Sequence, residues 1–110
     1  MGIYKLNMNF TKQEILDKAK YIIDELCNYG SYSIGHISFN ESEHIHKGSY
    51  KEQQLSVWTI AIDINSAIFG DTSDFLLIND INCEPIYYQT KHTVYEVEKV
   101  DGKYTFKDMS

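Results

Sequence analysis

The chain has 110 residues, 43% hydrophobic and 14% aromatic, and its ten lysines, without a single arginine, face sixteen Asp plus Glu for a formal net charge of −6 at pH 7. This length and apolar content suit one domain, residues 1–110, with one core, and exclude a disordered acidic chain. The missing guanidinium fork and the negative field argue against nucleic-acid recognition, which relies on cations that release phosphate counterions, and favour a basic protein partner.

No apolar run approaches the roughly 20 residues needed to cross a bilayer. The opening Met1-Gly2-Ile3-Tyr4-Lys5 lacks the basic flank and apolar stretch of a secretory signal. The expected location is therefore the cytoplasm, away from membranes, with Cys27 and Cys83 as reduced thiols.

The first predicted element is a helix over about residues 12–29. Thr11 followed three residues later by Glu14 is a capping-box pattern, and Phe10 and Ile15 flank the cap as a hydrophobic staple. Ile15, Leu16, Ala19, Ile22, Ile23 and Leu26 recur at the spacing of one helical face, leaving Lys12, Asp17, Lys18, Lys20, Asp24 and Glu25 mainly on the other. Asn28, Tyr29 and Gly30 supply the stop, with Gly30 tolerating the left-handed C-terminal conformation.

Beyond Gly30 the period changes to alternation and Ile, Tyr, Thr and Ser become frequent, which predicts sheet. A first strand spans residues 32–39, where Ile34 is out of phase with Ile37 and Phe39 and Gly35 marks a bulge. Residues 40–50 are polar and read as an exposed hairpin connection. Residues 55–64 form the strongest strand: Trp58, Ile60, Ile62 and Ile64 line one face, while Leu55, Val57, Thr59 and Ala61 leave the other only partly polar, which makes it central. A turn-rich connector is expected over residues 65–73, then a strand Phe75-Leu76-Leu77-Ile78 and a turn Asn79-Asp80-Ile81-Asn82. Strands follow at residues 86–89, behind Pro85, and at residues 93–100. Asp101-Gly102 is a type I′ hairpin signal that joins the last of these to Lys103-Tyr104-Thr105-Phe106. The expected architecture is α+β, one N-terminal amphipathic helix packed on an antiparallel meander sheet of about five or six strands. The second face of such a sheet needs a partner, a homodimer or a curl of the sheet to cover its tyrosines and isoleucines.

Candidate chemistry is sparse. His44 and His46, two apart on a strand, would project from one side beside Glu41 and Glu43 as a metal-binding pair, but His36 and His92 add no third ligand at a metal-site spacing. A solvated polar loop is the simpler reading of that pair. Cys83 with His92, or Cys27 with His36, carries no nucleophile signature. Asp71 with Asp74, and Asp80 with Glu84, are carboxylate pairs that suit acid-base chemistry, yet Asp, Asn and Glu are equally the residues of hairpin turns. The six glycines are scattered singly, without a phosphate loop. Neither a catalytic constellation nor a cofactor is expected. Among the nine tyrosines, Tyr87 and Tyr88 must face opposite sides of one strand. Tyrosine suits interfaces because it offers rigid contact area with a polar tip, and it suits core edges and cross-strand pairs as readily.

The stretch Val57-Trp58-Thr59-Ile60-Ala61-Ile62, followed after a connector by Phe75-Leu76-Leu77-Ile78-Asn79-Asp80-Ile81-Asn82-Cys83-Glu84-Pro85-Ile86-Tyr87, resembles the YrhB-like immunity proteins of bacterial polymorphic-toxin systems. In that pattern an amphipathic helix precedes a Trp-bearing strand and a strand-turn-strand. The resemblance implies a small cytosolic protein that binds a cognate toxin, often a basic nuclease, and neutralises it by stoichiometric occlusion. An acidic, lysine-only domain suits such a partner through electrostatic steering. The expected contacts are Glu41, Glu43, Asp71, Asp74, Asp80 and Glu84, facing the toxin's cationic cleft, with the exposed tyrosines Tyr50 and Tyr88. The competing classes are a small-molecule-binding or enzymatic domain with a pocket around Trp58 and the tyrosines, and a self-associating structural or chaperone-like module that uses the second sheet face.

Overall fold

In the computed structural model, which describes residues 8–26, 32–46, 49–66 and 70–108, one helix is followed by six strands. These are α1 (Lys12–Leu26), β1 (Tyr32–His44), β2 (Gln54–Ser66), β3 (Gly70–Asn79), β4 (Glu84–Gln89), β5 (Val94–Val100) and β6 (Lys103–Asp108). The strands pair antiparallel in chain order, so the fold is the expected α+β meander with one helix against it.

The helix starts at a reciprocal capping box: Thr11 N–H donates to Glu14 Oε1 at 2.8 Å and Glu14 N–H donates to Thr11 Oγ1 at 3.1 Å. Ile15, Ala19, Ile22 and Ile23 are buried against the sheet, and Phe10 and Leu26 pack around them. The predicted stop at Asn28, Tyr29 and Gly30 lies outside the described residues, as does Cys27. Trp58, Ile60 and Ile62 of β2 face the helix with Leu76 and Ile78 of β3, Tyr88 of β4, Val97 of β5 and Tyr104 of β6.

Pairing of β1 with β2 passes from Ile34↔Ile62 to His36↔Ala61, so Gly35 is the extra residue of a bulge, and Ile34, Ile37 and Phe39 reach the same face despite their spacing. A Cβ on Gly35 would lie 2.4 Å from Asp63 Oδ2, so a larger residue here would have to displace the Asp63 carboxylate. A second irregularity lies between Leu77 and Ile78, and it sends both Ile86 and Tyr87 of β4 to the face away from the helix. Asp101 and Gly102 adopt φ of 52° and 81°, the paired left-handed values of the type I′ turn.

Two sequence expectations are corrected. Residues 40–50 are not an exposed connection throughout: β1 continues to His44, paired with Gln54, and Ile45 is fully buried. Ile45 joins Leu55, Val57, Leu77 and Ile86 in a second cluster on the far face, where the chain is pinned by Ile45 N–H to Gln53 O (2.9 Å) and Glu52 N–H to Ile45 O (2.8 Å). Nor is 65–73 a connector at its ends, because β2 runs to Ser66 and β3 begins at Gly70. Thr72 and Asp74 continue the alternation of Leu76 and Ile78 opposite Ile64 and Ile62, and Ser73 Oγ donates to Asp63 Oδ1 at 2.9 Å across the ladder. Cross-strand pairing, rather than composition, extends both strands.

Candidate acidic cleft at one end of the sheet

The antiparallel register gathers three connections at one end. Glu43 lies opposite Leu55, Val57 opposite Asn79, and Asn79 opposite Glu84, so the end of β1, the turn after β3 and the start of β4 are neighbours. There β4 and β5 separate. They pair only at Tyr87↔Glu96, Tyr88↔Tyr95 and Gln89↔Val94, while β5 and β6 stay paired as far as Val100↔Lys103. The separation opens a cleft of about 290 Å³ whose lining includes Ser49, Tyr50, Glu84, Glu96, Glu98, Lys99 and Tyr104.

Most of the polar side chains there are held by specific partners. Tyr104 O–H donates to Glu84 at 2.6 Å to Oε1 and 3.1 Å to Oε2. Lys18 and Lys99 bring Nζ to 3.9 and 3.8 Å from the same carboxylate and to 5.2 and 4.9 Å from the Tyr104 ring centroid. Burial, with the Glu84 hydrogen bond and charge behind it, pushes the Tyr104 phenol well above its ordinary range, so Tyr104 stays a neutral donor. Glu96 accepts from Ser49 N–H at 3.1 Å and from Ser49 Oγ, which ties the connection after β1 to β5. Glu98 is exposed, and Glu43, which accepts from Asn40 Nδ2 at 2.8 Å, acts after burial to raise the Tyr87 phenol.

The structure brings Tyr50 and Glu84 into this cleft and leaves Glu41 and Glu43 at the same end of the sheet. Asp71 pairs with Asn65 near the opposite end, and its side chain lies outside the described residues. The other expected contacts are interior. Tyr88, expected to be exposed, is fully buried and donates its O–H to Asp74 Oδ2 at 2.7 Å. Asp74 itself is buried, because its parity along β3 matches that of Leu76 and Ile78. Asp80 is fully buried and accepts from Trp58 Nε1–H at 2.8 Å and from Asn9 N–H at 2.7 Å. These three therefore brace the core and are not exposed in the chain as it stands. Ser49, Glu96, Glu98, Lys99 and Tyr104 were missed by motif; the signal available for two of them was the alternation of Glu96 and Glu98 about Val97.

His44 and His46 do project together, with ring centroids 4.7 Å apart, and His44 Nε2 lies 3.7 Å from Glu52 Oε2. Among the described residues no group of three His, Cys, Asp or Glu is arranged to hold a metal ion. Cys83 is a free thiol in the turn before β4, and burial raises its pKa against the opposing pull of Lys18, away from the thiolate a nucleophile requires. A second hollow, about 480 Å³, lies at the start of α1 between Met8, Phe10, Lys12, Phe39 and Trp58, where the indole N–H is already engaged by Asp80. Among the described residues no helix is long and apolar enough to cross a membrane. Comparison with protein-family models, with curated proteins and with solved structures finds no match for this chain.

Proposed function

We propose that this chain is a small cytoplasmic binding protein that neutralises a basic partner protein by stoichiometric occlusion, in the manner of an immunity protein and its cognate toxin. The observation that carries the proposal is the gathering of Glu41, Glu43, Glu84, Glu96 and Glu98 around one end of the sheet, beside the cleft lined by Tyr50 and Tyr104. Glu84 is held by two lysines and Glu96 by Ser49, so they shape the cleft, whereas Glu98 and Glu43 are the carboxylates offered to a partner. A lysine or arginine of the partner entering between β4 and β5 would form charge-assisted hydrogen bonds there, with Tyr50 as a rigid apolar wall. The −6 net charge adds long-range steering toward a cationic surface, which raises the association rate more than the final affinity.

Co-expression with a toxin domain encoded beside this chain tests the proposal. The expected outcome is growth rescue and a one-to-one complex whose association rate falls with added salt. Reversing Glu43→Lys and Glu98→Lys together is expected to slow association by about tenfold or more while the circular dichroism stays unchanged. Failure of the unaltered chain to bind or to rescue, with the fold intact, refutes it.

A further inference from the structure

β1 is an edge of the sheet: it pairs with β2 and, among the described residues, with nothing on its other side. We infer that two copies of this chain associate by pairing their β1 strands antiparallel about a two-fold axis near Ile37, continuing the sheet through residues 34–40. The backbone N–H and C=O groups that point away from β2 along this stretch form a ready template for another strand. Protein edges are ordinarily blunted by shortness, lysine, proline or bulges, and the opposite edge obeys that rule, since β6 has 6 residues and carries Lys103 and Lys107. β1 has 13 residues and neither lysine nor proline, and its irregularities at Gly35 and between Asn40 and Glu43 leave the run from His36 to Asn40 regular.

The side chains suit a second copy on both faces. On the helix side, Ile34, Ile37 and Phe39 are only half-buried, although α1 touches this edge at both ends, where Asp24 accepts from Tyr32 O–H at 2.8 Å and Lys12 lies beside Phe39. On the other side Ser33, His36 and Ser38 are exposed, and they point out of the sheet rather than across its edge. Charge selects the orientation and the occupant. Residues 33–40 contain no Asp, Glu or Lys, and the acids Glu41 and Glu43 lie beyond one end of them. Antiparallel self-pairing about Ile37 therefore sends the two acidic ends to opposite ends of a shared ladder about 25 Å long. There Glu41 of each copy meets the uncharged Ser33 of the other. Parallel pairing would stack like charges directly opposite one another, which is destabilising. The arrangement is self-complementary, as an isologous interface requires. The edge lies several strands from the cleft between β4 and β5, and although Glu41 and Glu43 sit at the end of β1, the lysine variants at His36 and Ser38 leave Glu84, Glu96 and Glu98 untouched, so the two tests fail independently.

The test is sedimentation of the whole chain over a concentration series, with hydrogen exchange resolved along β1. The expected result is a monomer–dimer equilibrium that tightens with added salt as the −6 repulsion is screened, and slower exchange in residues 34–40 at high concentration. The variant His36→Lys with Ser38→Lys places four lysines across the axis on exposed positions and is expected to weaken the dimer by at least about tenfold. Ser38→Lys alone serves if the double variant alters the circular dichroism. Phe75→Ser, exposed on the far face of the sheet, is expected to leave the equilibrium unchanged. A monomer at every concentration overturns the inference. So does a dimer that the lysine variants leave intact, or one that Phe75→Ser dissolves.

Discussion

Asp80 is the interior residue whose loss the fold is expected to feel most directly. Its carboxylate accepts from the indole N–H of Trp58 and the backbone N–H of Asn9, joining the turn after β3, the middle of β2 and the segment that leads into α1. In Asp80→Ala the Asn9 N–H can turn to water, but Trp58 is 3% exposed and its N–H is left without an acceptor. An unsatisfied buried donor costs about 1–3 kcal/mol, and hydrogen bonds to a charged acceptor are at the strong end, so the expected loss is about 3 kcal/mol. That is a large part of the roughly 5–15 kcal/mol that holds a domain of this size together. With an unfolding entropy near 2.1 cal/mol/K per residue, it corresponds to a fall in Tm of roughly 13 °C. Asp80→Asn keeps one acceptor oxygen and is expected to lose about half as much. Trp58 is the single tryptophan, so urea unfolding followed by its fluorescence reads the site directly, with circular dichroism as the global probe. A double-mutant cycle with Trp58→Phe isolates the pair. A loss below about 0.5 kcal/mol in Asp80→Ala, or an equal loss in the Trp58→Phe background, refutes the reasoning.

Three further predictions test other parts of the fold. Thr11→Ala removes one half of the capping box and is expected to cost about 1 kcal/mol, while Glu14→Gln, which can still reach back to the Thr11 N–H, costs less; thermal melts at the helical circular-dichroism minimum compare the two. Gly35→Ala drives a methyl into the Asp63 carboxylate, which must swing off Ser73 at a cost of about 1 kcal/mol, and Asp63→Ala is expected to abolish that cost in chemical denaturation. The Tyr104 phenol is raised in the folded chain but ionises near pH 10 when unfolded, so above about pH 10 the unfolded state binds fewer protons and stability falls as pH rises. Tyr104→Phe is expected to be less stable near neutrality, through loss of the Glu84 bond, and to show a shallower alkaline decline in urea titrations, Tyr87 retaining part of the slope.

Local signals made much of the fold legible. The capping box, the alternation of β2 and the Asp101-Gly102 turn each carry a backbone instruction within a few residues. The polar strand segments carry none. The end of β1, Asn40 to His44, and the start of β3, Gly70 to Asp74, are built from turn-forming residues and become strand only through their register with β2. The site was obscured for a related reason, because the side of the sheet a residue faces depends on where the bulges fall. Asp74 shares the parity of Leu76 and Ile78, and reading it that way would have buried it from sequence. Tyr88 could not be assigned so simply, since the irregularity between Leu77 and Ile78 resets the parity of β4 and no motif announces it. The cleft is less legible still. It exists because β4 and β5 part after three pairs, a property of two strands and of the loop between them and solvent.

The acidic cleft and the open edge have a common origin in the size of the sheet. A helix of 15 residues is about 22 Å long and roughly 10 Å across. Six strands about 4.8 Å apart span roughly 24 Å, and strands of 13 residues extend over about 40 Å. One helix cannot cover that area, and α1 covers chiefly the β3 and β6 side. On the far face the chain makes up the deficit from its own length: Ile45 is sealed among Leu55, Val57, Leu77 and Ile86, and residues 49–53 run beside it. In the same connection Ser49 bonds Glu96 on β5, and this crossing brings Tyr50 beside Glu84 and turns the gap between β4 and β5 into a walled cleft. At β1, the edge farthest in strand order from β6, the cover is partial, from Met8 and Phe10 beside Phe39 and from Asp24 on Tyr32, and Ile34, Ile37 and Phe39 stay half-exposed at an edge that no described strand pairs. The same shortage of helical cover thus has two outcomes, a loop that builds a polar recess and an edge whose apolar stripe and free hydrogen-bonding groups a second β1 would satisfy together.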